Sequence, residues 1–60
     1  MYKYYEIARN EKGLKDYDVC KKTGISAGTI SDWKNGKTVP KADKLKLIAE
    51  LFEVHIEDLI

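Results

Sequence analysis

The stretch that decides the fold runs from residue 16 to residue 33 and reads DYDVCKKTGISAGTISDW. Counted from its first residue, a small side chain stands fifth, a glycine ninth, and apolar side chains tenth, fifteenth and eighteenth: Cys20, Gly24, Ile25, Ile30 and Trp33. Two helices that cross steeply approach most closely near the fifth position, so a small side chain such as Cys20 suits it. Gly24 can reverse the chain in a left-handed conformation without a Cβ penalty. The pattern predicts two short helices joined by a tight turn and seated on a core by the apolar positions.

Such a pair of helices is a helix-turn-helix. Working outward from it, no stretch alternates apolar and polar residues long enough to predict a strand. We expect helices over about Tyr4 to Lys12, Asp16 to Thr23, the residues after Ser26 as far as Lys34, and Lys41 to Phe52. Ser26 is a good N-cap, and Asn35-Gly36 tolerates the positive φ that ends many helices.

The end of the chain carries the pattern of one more helix. Ile56, Leu59 and Ile60 have the i, i+3, i+4 spacing of a helical turn, and His55 stands at its N-cap position. The predicted fold is therefore all-α, a compact five-helix domain with a helix-turn-helix formed by helices 2 and 3. Residues 1–60 make a single domain, and the sequence leaves open whether a further domain follows Ile60.

Composition excludes several classes of protein. With one Cys and one His among 60 residues, the chain has neither a disulfide framework nor enough ligands for a zinc site. It has no apolar run near the ~20 residues that cross a bilayer, and no secretory signal. No Ser/His/acid set or phosphate-binding glycine loop appears, so we expect no enzyme, cofactor, metal or membrane association, and a cytoplasmic location.

Charge is unevenly distributed along the chain. The net charge is +1, but residues 21–46 hold seven Lys and two Asp, whereas residues 47–60 hold four acidic residues and no Lys or Arg. A basic middle is what phosphate binding requires. Lysine also solubilises ordinary surfaces, so charge alone leaves the alternatives open.

The chain resembles the lambda-repressor-like, or Cro/C1-type, helix-turn-helix proteins, whose usual members are phage and bacterial repressors. The resemblance covers nearly the whole chain and is carried by Gly13-Leu14, Gly24-Ile25-Ser26, Thr29 to Trp33, Asn35-Gly36-Lys37, Pro40 and Val54 to Leu59. It implies that helices two and three read DNA, that helix three enters the major groove, and that dimers bind inverted repeats.

The resemblance also implies roles for individual residues. It implies base contacts from Ala27, Gly28, Thr29 and Asp32. It implies contacts to phosphate from Asp16, Ser26, Ser31, Lys34, Asn35, Lys37 and Lys41. The expected partner is double-stranded DNA bound by a homodimer. The last-helix residues Ile56, Leu59 and Ile60 are read equally well as the dimer contact or as a cap on the core.

Two charged positions depart from the family pattern. Asp16 stands where relatives usually have a Gln that contacts phosphate, and a carboxylate there would repel a phosphate. Lys34 stands where many relatives have an acidic residue paired with the Arg at position 9. Arg9 is therefore expected to pair with Glu6 or with a carboxylate of the C-terminal segment, or to stay solvated, which leaves Lys34 free for phosphate.

Two functions follow from these patterns. The leading hypothesis is a sequence-specific DNA-binding transcriptional regulator, a repressor that binds an inverted-repeat operator. The alternative is a protein-binding helix-turn-helix module, such as an antitoxin or a regulator's partner. Ala27 and Gly28 favour the alternative because they offer no side-chain hydrogen bonds to bases, and Asp16 and Asp32 favour it by their charge.

Four other side chains have structural interpretations. Trp33 and Tyr5 are expected in the core, Cys20 as a small buried residue without special reactivity, and His55 as a cap or an exposed residue.

Overall fold

The computed structural model describes all 60 residues as an all-α domain without strands. Its helices are α1 (Tyr2–Glu11), α2 (Asp16–Thr23), α3 (Ala27–Lys34) and α4 (Ala42–Phe52), followed by one 3-10 helix (Ile56–Leu59). None of these helices has the length and apolarity that spanning a membrane would take. No three His, Cys, Asp or Glu side chains come together as ligands for a metal ion.

The prediction of five helices is corrected to four α-helices and one 3-10 turn. Only four residues, Ile56–Leu59, are helical at the chain end, and the Asp58 amide donates to the His55 carbonyl at 2.9 Å in the i to i+3 pattern. So short a segment closes its bonds most readily in the tighter helix. His55 occupies the predicted N-cap, and its amide donates to the Asp58 carboxylate at 3.1 Å.

Helix α1 begins two residues earlier than the sequence predicts. The Met1 carbonyl accepts hydrogen bonds from the amides of Tyr4 and Tyr5 at 3.1 and 3.4 Å, which brings Tyr2 into the first turn. Helix α4 begins one residue later than the sequence predicts, because Lys41 is its N-cap rather than its first residue.

The turn between α2 and α3 has the geometry that the sequence predicts. Gly24 ends α2 at φ 79°, in the left-handed region, and its amide donates to the Cys20 carbonyl at 2.9 Å. Ser26 caps α3, because its Oγ accepts a hydrogen bond from the Thr29 amide at 3.2 Å. The turn is thus stabilised by local backbone geometry and one cap, both readable from residue type.

The core forms where all the helices meet. Its buried members are Tyr5, Val19, Ile25, Ile30, Trp33, Leu45, Ile48, Ala49, Phe52 and Leu59. The rings of Trp33 and Phe52 lie 5.2 and 5.7 Å from that of Tyr5, centroid to centroid. Both predicted core aromatics, Tyr5 and Trp33, are confirmed. Cys20 is only half-buried, and burial together with the nearby Asp16 charge raises the pKa of its thiol.

The chain ends lie side by side and complete this core. The ammonium group of Met1 donates a hydrogen bond to the carbonyl of Leu59, whose side chain is fully buried. The predicted dimer contact therefore excludes Leu59, since a side chain buried in its own domain presents no surface to a second copy. Ile56 is half-buried and packs on the core, while Ile60 remains largely exposed.

Candidate nucleic-acid interface

Helix α3 has one buried and one open side. Ile30 and Trp33 point into the core. With 3.6 residues per turn, Gly28, Ser31 and Asp32 lie on the opposite side. Gly28 and Ser31 are exposed, and Asp32 is half-buried. The open side therefore runs along most of the helix and faces away from the domain.

The four residues expected to contact bases differ in what they offer. Ala27 and Gly28 are exposed but present only a methyl group and backbone. Thr29 is half-buried, and its Oγ1 lies 2.9 Å from the Ser26 Oγ, so its hydroxyl is engaged at the helix cap. Asp32 carries the one acidic side chain among them.

Apart from Asp16, the residues expected to contact phosphate lie in α3, at its N-cap, or in the segment that joins it to α4. All are exposed: Ser26, Ser31, Lys34, Asn35, Lys37 and Lys41. Lys34, Lys37 and Lys41 make no ion pair within 4 Å, because the ion pairs of the domain involve other cations. The amide of Lys37 donates to the Asp32 carbonyl at 2.8 Å, which folds the loop back against the end of α3.

Asp16 faces α1 and binds two of its side chains. Its Oδ1 accepts hydrogen bonds of 2.6 Å from the Tyr5 hydroxyl and from Arg9 Nη1. The expected partner of Arg9 was thus wrong. Glu6 instead pairs with Lys3 at 3.1 Å, and Arg9 pairs with Asp16 because the turn after α1 brings the first residue of α2 back beside it.

The pKa shifts in this cluster follow from its contacts. Burial and the hydrogen bond to the Asp16 carboxylate both raise the pKa of Tyr5. Burial alone would lower the pKa of Arg9, but the hydrogen bond and charge of Asp16 outweigh burial and raise it. At neutral pH the Tyr5 phenol is therefore neutral and the Arg9 guanidinium is charged.

Tyr5 and Arg9 hold Asp16 in place, a role that their positions along the chain did not predict. They stand four residues apart on one face of α1. The Arg9 guanidinium lies 5.6 Å from the centre of the Tyr5 ring, within cation–π range. That spacing was a usable signal for the pair, whereas their shared contact with Asp16 depends on how α1 and α2 pack.

Asp16 also borders the region between α2 and α3. It lines a small cleft of about 210 Å³ together with Ala27, Ile30, Ser31 and Lys34. Its side chain is 46% exposed. The start of α2 therefore adjoins the open side of α3, with a carboxylate whose charge Arg9 already balances.

Comparison with known proteins agrees with this geometry. A family model described as helix-turn-helix matches residues 6–59. No curated protein and no solved structure matches the chain. The matched family consists of DNA-binding regulators and is not typically enzymatic. The match includes both helices of the motif, the loop after α3 and the C-terminal turn, and the chain belongs to the lambda-repressor-like, Cro/C1-type helix-turn-helix family.

Proposed function

We propose that this chain is a sequence-specific DNA-binding transcriptional regulator, a repressor that binds an inverted-repeat operator as a homodimer in the cytoplasm. The observation that carries the proposal is the open side of α3, together with three exposed lysines without ion pairs at the end of that helix and in the segment after it: Lys34, Lys37 and Lys41. Half-sites about one helical turn of DNA apart would suit two copies of such a domain.

Base recognition relies on few side chains. With α3 in the major groove, Asp32 accepts a hydrogen bond from a cytosine amino group, and the Ala27 methyl contacts a thymine methyl. Gly28 adds no side chain and lets the helix backbone approach the bases closely. Thr29 contributes chiefly through its methyl group because its hydroxyl is engaged with Ser26. We therefore expect half-sites that contain C and T at positions read by α3.

Phosphate binding supplies most of the affinity. The three lysines bind the backbone as point charges, and the exposed side chains of Asn35, Ser26 and Ser31 add hydrogen bonds to phosphate. Each phosphate neutralised contributes a slope of about −0.9 to the dependence of log K on log salt. We assign Asp16 to positioning α2 rather than to phosphate, because its carboxylate is anionic and already accepts two hydrogen bonds.

Selection of bound duplexes from a random pool, followed by mobility-shift titration, tests the proposal. Wild-type protein should enrich an inverted repeat. Lys37→Ala should weaken binding to every duplex and reduce the salt slope by about one. Asp32→Ala should change the preference among sequences, and Lys12→Ala should leave binding unchanged, since Lys12 is the C-cap of α1 and belongs neither to α3 nor to the segment that follows it. Wild-type affinity of both Lys37→Ala and Asp32→Ala for all duplexes would contradict the assigned surface.

The alternative is a protein-binding module, as in an antitoxin or a regulator's partner. It is favoured by the exposed Ala27 and Gly28, which give α3 little polar chemistry for reading bases. This function would be supported if the protein binds no duplex at low salt and forms a stoichiometric complex with a purified protein partner.

A further inference from the structure

The largest concavity of the domain lies outside the helix-turn-helix. It is an open groove of about 500 Å³ between the start of the chain and the loop that follows α3. One wall is Met1, Tyr2 and Lys3, and the other is the end of α3 with residues 36–39. We call this concavity the N-terminal groove.

The N-terminal groove carries only positive charge. Lys3, Lys34 and Lys37 line it, and no carboxylate does. Lys34 and Lys37 make no ion pair, and Lys3 is 67% exposed and pairs only with Glu6 on its own helix. Such an exposed pair is weak and screened by salt, so Lys3 can exchange Glu6 for another anion.

The surface between these lysines is apolar. The ring of Tyr2 stands edge-on to that of Trp33, with centroids 5.9 Å apart and planes at 86°. Met1 and Val39 are each 62% exposed at the rim. Apolar surface beside ammonium groups fits a ligand that is itself part apolar and part anionic, as a deoxyribose with its phosphates is.

The place of the N-terminal groove beside α3 indicates which anion binds there. Lys34 and Lys37 belong both to the N-terminal groove and to the proposed phosphate contacts of α3. A DNA strand bound to both lysines lies at the edge of the groove, because both side chains line it. We infer that the DNA backbone occupies the N-terminal groove, so that Tyr2, Lys3 and Val39 extend the interface beyond the helix-turn-helix. This inference rests on the proposed function and extends the proposed DNA-binding surface to the wall of the groove formed by the start of the chain.

Salt-dependent titration of one selected duplex and one random duplex tests this extension, with Lys3→Ala and Lys12→Ala as a matched pair. Each variant removes one exposed lysine that pairs with a glutamate, Glu6 at 3.1 Å and Glu53 at 3.7 Å respectively. Lys3→Ala should weaken binding to both duplexes roughly threefold to tenfold near physiological salt and reduce the salt slope by about one. Lys12→Ala should match wild type.

Val39→Asp provides a second, independent variant. The side chain is largely exposed, so the fold should tolerate the change, which circular dichroism verifies. A carboxylate in the N-terminal groove should weaken binding to both duplexes more than Lys3→Ala does.

Three results would overturn the inference. If Lys37→Ala weakens binding while Lys3→Ala and Val39→Asp bind as wild type, the groove is not part of the interface and the proposed function stands. If wild type binds no duplex at low salt, the proposed function fails and the inference with it. If Val39→Asp changes the sedimentation of the protein without DNA, a second copy occupies the groove instead.

Discussion

Asp16 shows how one residue's role depends on its neighbours. The family resemblance implied a phosphate contact at this position, but the side chain binds Tyr5 and Arg9. The Tyr5 ring is fully buried, and a buried hydroxyl without a partner would cost about 1–3 kcal/mol. Asp16 satisfies that hydroxyl and balances Arg9, and its place in the first turn of α2 suits the helix dipole. The residue thus stabilises the packing of α2 on α1.

Tyr5→Phe removes one hydroxyl from this cluster and leaves the ring in the core. We expect the free energy of unfolding to fall by about 1 kcal/mol at neutral pH, because the hydrogen bond to Asp16 is lost. Urea unfolding measures this. Tyr4→Phe is the matched control, since Tyr4 is exposed and its hydroxyl makes no hydrogen bond, and it should leave stability unchanged.

The stability difference between wild type and Tyr5→Phe also depends on pH. The pKa of Tyr5 is raised in the folded domain by burial and by Asp16, so the folded state holds the phenolic proton more tightly than the unfolded chain. The stability contributed by that proton is full below the unfolded pKa of about 10 and is lost as pH rises above it. The stability difference between wild type and Tyr5→Phe should therefore stay constant up to about pH 10 and shrink as the pH rises beyond it. A difference that stays constant beyond that pH as well would contradict the role given to the Asp16 contact.

Helix α3 owes its stability to its surroundings. Eight residues are too few for a stable isolated helix, and Gly28 weakens this one further. Burial of Ile30 and Trp33 and the Ser26 cap compensate. A Cβ at Gly28 would meet only the Ser26 Oγ, at 3.9 Å, so nothing within the domain requires glycine there. A methyl group added at Gly28 would therefore face whatever binds the open side.

Gly28→Ala separates stability from binding. We expect the free energy of unfolding to rise by up to ~1 kcal/mol, the helix-propensity difference between Gly and Ala. DNA affinity should fall, because the added methyl group stands between the backbone and the bases. Thermal unfolding and mobility-shift titration measure the two quantities.

Gly24→Ala is the matched control for this substitution. Gly24 lies at φ +79°, where a Cβ is strained, and so this variant should lose about 1–2 kcal/mol of stability. A Gly28→Ala variant that is less stable than wild type would contradict the open placement of this residue.

At the scale of the whole molecule, the last residues close the core. Leu59 is fully buried although it is the penultimate residue, and the Met1 ammonium binds its carbonyl. A domain of this length has a total stability of only about 3–9 kcal/mol. One side chain at the end of the chain therefore accounts for a large share of the margin by which the domain folds.

Leu59→Ala and Ile60→Ala compare neighbouring residues with opposite burial. Leu59→Ala should destabilise the domain by about 2–5 kcal/mol, through lost burial and the cavity left behind. Ile60→Ala should change monomer stability by no more than about 0.5 kcal/mol. Chemical denaturation at low protein concentration measures both effects. Equal losses would contradict the burial of Leu59, and a loss for Ile60→Ala that grows with protein concentration would place Ile60 in a dimer contact.

The sequence by itself determined the helix-turn-helix. Gly24 permits the left-handed turn, Ser26 caps α3, and Ile30 and Trp33 define the buried face of that helix. These features follow from residue type because sterics, capping and the 3.6-residue period act over four residues or fewer. Composition and these local rules also determined the all-α class.

Only the tertiary structure decided which distant groups meet. Arg9 had several carboxylates to choose from, and the packing of α2 against α1 selected Asp16. Leu59 became core because the termini lie together, and Lys3 came to face Lys37 across the N-terminal groove. Charge attraction and apolar burial depend on distance in space rather than along the chain, so these contacts follow from how the helices pack.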